Sequence, residues 1–188
     1  QVVFRLANFG GTSAGGTWYV FDTAVSTAND LIINGDVTAA AAANQAPVNS
    51  VPGTQTINED TTLTFSAANS NLISISDPDA GGAAVQVTLT ATNGTFTLSG
   101  TSGLTFTVGD GTADPTATFT GSISAINNAL DGTTFNPTAN FNGTASLQIV
   151  TNDQGNTGTG GALSDTDTIA ITVNPVNDAP TFTATAAN

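Results

Sequence analysis

From Gln45 onward, apolar side chains recur at every second position in short runs: QTI, LTF, LISI, VQVTLT, GTFTL, LTFTV, TATFTG, SLQIV and TIAITV. Gly, Asn, Asp or Pro separates them. A period of two sends successive side chains to opposite faces of a strand, so each run predicts a strand with one buried face. Nine such strands in one segment predict an all-β fold, a Greek-key antiparallel β-sandwich. One stretch breaks the alternation. In GSISAINNALDG, Ile123, Ile126 and Leu130 recur at helical spacing, Ser122 can cap the start and Gly132 can end it, which predicts one or two helical turns. No chemistry is assigned to that segment.

The first 46 residues read differently. VVFRLANF and TWYVFD predict two strands and hold Arg5, Trp18 and Tyr19, each the only residue of its kind. The apolar patch LIING (31–35) leads into the Ala-rich run TAAAAANQAP, a short helix or a tether. A piece this small rarely buries a core unaided, so it is expected to pack on the main domain or on a neighbouring molecule. The expected division is a small N-terminal β segment over 1–46, a sandwich over 47–180, and a linker tail or the start of a next strand over 181–188. In VVFRLANF the residues Val2, Phe4 and Leu6 form an apolar stripe. Such a strand can be donated to another subunit's open sheet edge, or can be an edge strand of its own domain.

Charge narrows the function. Fourteen acids against one base give a formal net charge of −13, and histidine, cysteine and methionine are absent from all 188 residues. Nucleic acid and anionic membrane surfaces are poor partners for such a chain, because phosphate neutralisation needs Lys and Arg. The absence of imidazole and thiol removes soft-metal sites, thiol chemistry and His-based acid/base catalysis. No run approaches the roughly 20 apolar residues that span a bilayer. The chain starts at Gln1, which suggests a removed leader or a fragment, and an extracellular or cell-surface location is expected.

The acids gather in loops: INED (57–60), DPDAGG (77–82), NDQG (152–155), SDTD (164–167) and VNDAP (176–180). Alternate loops of a sandwich emerge at the same end, so carboxylates far apart in sequence can converge there, where they repel unless a cation lies among them. Ca²⁺ suits that place, since it takes six to eight oxygen ligands in flexible geometry. Asp77 and Asp79 flank Pro78, which fixes the turn between them, and Gly81 and Gly82 let backbone carbonyls approach. The loop NQAPV at 44–48 is a second, weaker copy of VNDAP.

TNDQGNTGTGGALSDTDTIAITVNPVNDAPTF resembles the last two strands and linker of a cadherin repeat, and DPDAGG resembles that family's Asp-x-Asp-x-Gly loop. INED stands where cadherins carry a calcium-binding Glu. The resemblance spans about residues 45 to 182 and is nearest to the cadherin-like modules of bacterial surface adhesins and biofilm proteins, which LDGTTFNPTANFNGTASLQIVTNDQG also resembles. It implies Glu59, Asp77, Asp79, Asp153, Asn177 and Asp178 as calcium ligands. Glu59 and the linker pair would serve the downstream boundary and the others the upstream one. Pro175 stands where the linker's first Asp would be, Gln45 replaces the upstream Asp, and the Asp-Arg-Glu motif of animal cadherins is missing. Fewer charged ligands imply one or two ions.

Asn93 and Asn142 each begin an Asn-Gly-Thr sequon, although Asn-Gly is also a strong hairpin turn. Paired carboxylates could serve glycoside hydrolysis, but the only Trp and Tyr lie in the N-terminal part, and no enzyme activity is expected. The expected function is structural: an extracellular subunit of a self-assembling fibre or adhesin stalk, stabilised by calcium at module boundaries. Its partners would be copies of itself joined head to tail, or neighbouring repeats. The alternative is a calcium-dependent module of a longer adhesin that binds a carbohydrate or a surface glycan.

Overall fold

The computed structural model describes residues 42–180. Contacts divide the chain between residues 41 and 42, so every described residue belongs to the second unit. The two N-terminal strands, the stripe of Val2, Phe4 and Leu6, and the tail from 181 to 188 lie outside the described residues.

The elements in order are β1 (Val48–Ser50), β2 (Gln55–Asn58), β3 (Leu63–Phe65), β4 (Ser74–Ser76), β5 (Ala84–Thr92), β6 (Gly94–Thr97), β7 (Thr105–Val108), β8 (Thr116–Ser122), α1 (Ile123–Leu130), β9 (Thr133–Pro137), β10 (Gly143–Asn152) and β11 (Ser164–Asn174). Each of the nine alternating runs contributes a strand. The other two, β1 and β9, escape the periodicity because β1 buries only the polar Asn49 and β9 carries a single large apolar side chain, Phe135. The helix forms where its spacing predicts: the Ser122 side chain accepts the Ala125 N–H, and Gly132 follows with φ +102°.

Among the described residues the fold is therefore all-β apart from one short helix, and its sheets are consistent with a sandwich. One sheet has the order β2-β11-β10-β5-β8-β7, a second β3-β9-β6, and a third pairs β1 with β4. All pairings are antiparallel except β2 with β11, which is parallel. Along β5 the buried residues Val85, Val87, Leu89 and Ala91 alternate with Gln86, Thr88 and Thr90, the pattern of a sheet with one face in the core. Phe65, Phe96, Phe119 and Phe135 are fully buried, and Phe96 pairs in register with Phe135. Each such side chain removed from water stabilises the fold by about 1.5–3 kcal/mol.

Register fixes which strand ends meet. Val48, the first residue of β1, pairs with Ser76, the last of β4, and Asn152, the last of β10, pairs with Ser164, the first of β11. At the far end Asn174, the last residue of β11, lies beside Asn58, the last of β2. β11 is 11 residues long, a span of roughly 34 Å at about 3.4 Å per residue. The chain thus comes in at one end of the domain and leaves by the other. Among the described residues no helix is long and apolar enough to cross a membrane.

Candidate metal centre

The end where the chain comes in gathers Asn44 and Gln45 just before β1, Asp77 and Asp79 just after β4, and Asp153 just after β10. Pro78 turns the chain so that the Asp77 Oδ1 accepts the backbone N–H groups of Asp79 at 3.1 Å and of Ala80 at 3.0 Å. The Asp79 Oδ2 accepts the N–H of Gln45 at 3.0 Å, and the Asp79 carbonyl accepts the Thr157 hydroxyl. Asp153 is inaccessible to solvent. Its Oδ1 accepts the N–H groups of Gly155 and Leu163, both at 2.8 Å, and its Oδ2 accepts the Asn44 amide at 2.5 Å.

Asn44 joins the two halves. Its Nδ2 also donates to the Gly161 carbonyl at 2.8 Å, its backbone N–H donates to the Thr159 carbonyl at 3.0 Å, and Thr159 returns a bond to the Ala42 carbonyl at 2.9 Å. The loop between β10 and β11 therefore holds the incoming chain as a short parallel bridge between Ala43 and Thr159. A Cβ on Gly158 would lie 2.4 Å from the Asn44 nitrogen and 2.5 Å from its Cα, so only glycine lets the two backbones approach this closely.

After these bonds, three buried oxygens have no partner: Asn44 Oδ1, Asp77 Oδ2 and Asp79 Oδ1. All three accept and none donates. A fourth unpartnered atom, Asn49 Nδ2, is a donor, and its own Oδ1 accepts the buried Thr151 hydroxyl at 2.6 Å. The described residues contain no Lys, Arg or His, since the single base of the chain is Arg5. No side chain among them can therefore neutralise the carboxylates. Burial, the largest influence, pushes the Asp77 carboxyl above its ordinary value; the N–H groups of Asp79 and Ala80 pull it down, and the neighbouring Asp79 carboxylate pushes it up again. Burial is also the largest influence on Asp153, but the N–H groups of Gly155 and Leu163 with the Asn44 amide outweigh it and hold that carboxyl below the ordinary value.

This chemistry fits a hard cation. Carboxylate and amide oxygens are the ligands calcium takes, and an unpartnered buried acceptor costs about 1–3 kcal/mol, which a cation would relieve. Among the described residues no three carboxylates close on one point. The oxygens left to accept are mixed, carboxylate from Asp77 and Asp79 and amide from Asn44, while both oxygens of Asp153 are already hydrogen-bonded. Asn44 carried no candidate role in the sequence; its signal was the likeness of NQAPV to VNDAP.

The remaining candidates lie elsewhere. Glu59 follows β2 at the opposite end, is 7 % exposed, donates its N–H to the Asn174 carbonyl and accepts the Val176 N–H on its Oε1. It grips the outgoing linker. Asn177 and Asp178 are exposed, and no hydrogen bond joins either of them to Glu59. Asn93 sits in the β5–β6 turn at φ +56° and donates its amide to the Thr144 carbonyl at 3.0 Å, so the two sequons adjoin. A separate cleft of about 400 Å³ beside α1 is lined by Ser99, Ser102, Ser122, Ser124 and Asn128 and presents hydroxyl and amide groups.

Comparison with models of known protein families and with curated protein sequences finds no match for this chain.

Proposed function

We propose that this chain is an extracellular structural module of a fibre or adhesin stalk, a Greek-key sandwich similar to bacterial cadherin-like repeats, whose joints are stiffened by calcium. One observation carries the reading. Where the incoming linker meets the domain, three buried acceptor oxygens face no donor, on a stretch of chain without a cationic side chain. A divalent ion at Asp77, Asp79 and Asn44 ties the linker to the sandwich, because Asn44 belongs to the linker and the two acids belong to the domain. Repulsion between carboxylates becomes a rigid connection. The opposite ends used for coming in and going out suit modules joined in series, and Glu59 with the outgoing linker supplies further oxygens at the second end.

Extracellular calcium modules bind at about 10⁻⁴ to 10⁻³ M, so roughly 10 mM Ca²⁺ adds about 1.4–2.7 kcal/mol per ion by mass action. For a domain of this size that raises the melting temperature by roughly 3–10 °C. Scanning calorimetry in calcium and in EDTA tests this, with Asp79→Ala expected to remove most of the difference. A melting curve that is the same in EDTA and in excess calcium would falsify the metal reading.

A further inference from the structure

The outer face of the six-stranded sheet carries no charge. Strand alternation turns Val85, Val87, Leu89 and their counterparts inward, and every outward position of β2, β5, β7, β8, β10 and β11 is Thr, Ser, Asn, Gln, Ala or Val. None of these outward residues is buried. Asp165 and Asp167, the only acids within the six strands, alternate with Ser164, Thr166 and Thr168 and so stand on the other face, where Asp165 accepts the Asn49 N–H at 2.7 Å. Register sets the outward residues in rows: Thr166, Val150, Thr88, Thr118 and Val108 cross five strands in one line. Polar groups bond sideways along such rows. The Thr88 and Thr118 hydroxyls lie 3.0 Å apart, those of Thr92 and Ser146 2.8 Å apart, and the Asn152 amide donates to the Ser164 hydroxyl at 2.7 Å.

We infer that two copies of the chain associate side by side through this face, sheet against sheet. At a net charge of −13, an approach that sets the acidic loops of one copy against those of another is repulsive, and this broad face lets two copies meet without opposing carboxylates. Hydroxyls already paired with one another can be covered without stranding a donor, and Thr and Val are stiff at χ1, so little side-chain freedom is lost. Four central strands of seven to eleven residues and two short edges, about 4.8 Å apart, present roughly 700 Å², close to the ~800 Å² that each partner of a standard interface covers. Identical sheets share one twist, so two such faces can stack about 10 Å apart with their strands within roughly 30° of each other. The contact is isologous and closes at two. It pairs chains laterally rather than lengthening a series, and it uses no metal, so it stands apart from the calcium reading.

The test is sedimentation equilibrium of the full chain in EDTA over a concentration series, from about 0.01 M to about 1 M NaCl, which shortens the screening length from about 30 Å to about 3 Å. Dimers are expected, and they should tighten as salt rises, because the contact is neutral and only the surrounding acids repel. Thr88→Glu, in the middle of the face, should weaken the dimer roughly tenfold or more, since it buries two unpaired carboxylates. Thr118→Glu beside it should do the same and keeps the test decisive if the first variant misfolds. Thr134→Glu is the control: it adds the same charge on β9, in the three-stranded sheet, and should leave the dimer nearly unchanged. A chain that stays monomeric at every salt and protein concentration overturns the inference. So does a dimer that loosens with salt, that needs calcium, or that survives both Glu variants of the face. A monomer that pellets with microcrystalline cellulose and is released by Thr88→Glu assigns the face to a flat polysaccharide and overturns self-association.

Discussion

Asn44 and Asp153, 109 residues apart in the chain, meet through a 2.5 Å hydrogen bond from the amide of one to the carboxylate of the other. The bond ties the incoming linker to the end of β10 and leaves the Asn44 Oδ1 buried and unpartnered. One side chain thus serves the fold with its nitrogen, and its unpartnered oxygen is the neutral ligand of the proposed cation site.

Replacing Asn44 with Ala is expected to destabilise the domain by about 1–3 kcal/mol, because the Asp153 Oδ2 and the Gly161 carbonyl lose their donor. Chemical denaturation measures the loss. It should be larger in calcium than in EDTA, since only the metal-bound form also loses a ligand; equal losses in both would reduce Asn44 to a structural role.

Asp77→Asn should act with opposite signs in the two conditions. The amide oxygen still accepts the N–H groups of Asp79 and Ala80, while the repulsion with the Asp79 carboxylate disappears. In EDTA at neutral pH the variant is expected to melt higher than the parent, and in excess calcium lower. A fall in both conditions would show that the acid is not strained in the metal-free protein.

Acid titration of the metal-free protein follows from the two shifted carboxyls. Asp153 is held below its ordinary value of 3.8, so its contribution to stability is present above that value and is lost as the pH falls through the lower folded value. Asp77 is held above 3.8 and works the other way: the fold favours its protonated form, and that stability fades as the pH rises from 3.8 through the folded value. In EDTA, Asp77→Asn is therefore expected to raise the melting temperature above that range and to have little effect at the acid end.

Gly158→Ala forces a methyl group to within 2.4 Å of the Asn44 nitrogen, so the loop and the linker must part. Hydrogen exchange should speed up at the amides of Asn44 and Thr159, which bond across that contact, while the β5 and β10 amides stay protected. Gly82→Ala, where nothing lies within 4 Å, is the control. Acceleration throughout the domain would mean that the loop is part of the folding core.

Phe135 lies fully buried on β9 and pairs with Phe96 on β6 and with Leu63 on β3. Phe135→Ala is expected to cost about 3–5 kcal/mol in urea denaturation, the range for a large aromatic removed from a core. A cost below 1 kcal/mol would contradict the packing around the three-stranded sheet.

The sequence by itself determined the local elements. Nine strands and the helix follow from periods of two and 3.6 and from the Ser122 cap, because those patterns are set by neighbours a few residues away. It also placed the acids in turns, with Asp77 and Asp79 held together by Pro78. Only the tertiary structure decided which turns share an end of the domain. That is a matter of register between strands 60 to more than 100 residues apart, such as Gln86 with Asn152 at one end and Asn58 with Asn174 at the other. The same pairings gave Asn44 its place, left both oxygens of Asp153 occupied, and set Glu59 at the far end beside the outgoing linker. A side chain's partners across a sheet depend on how loops close over long separations, and no period along the chain carries that information.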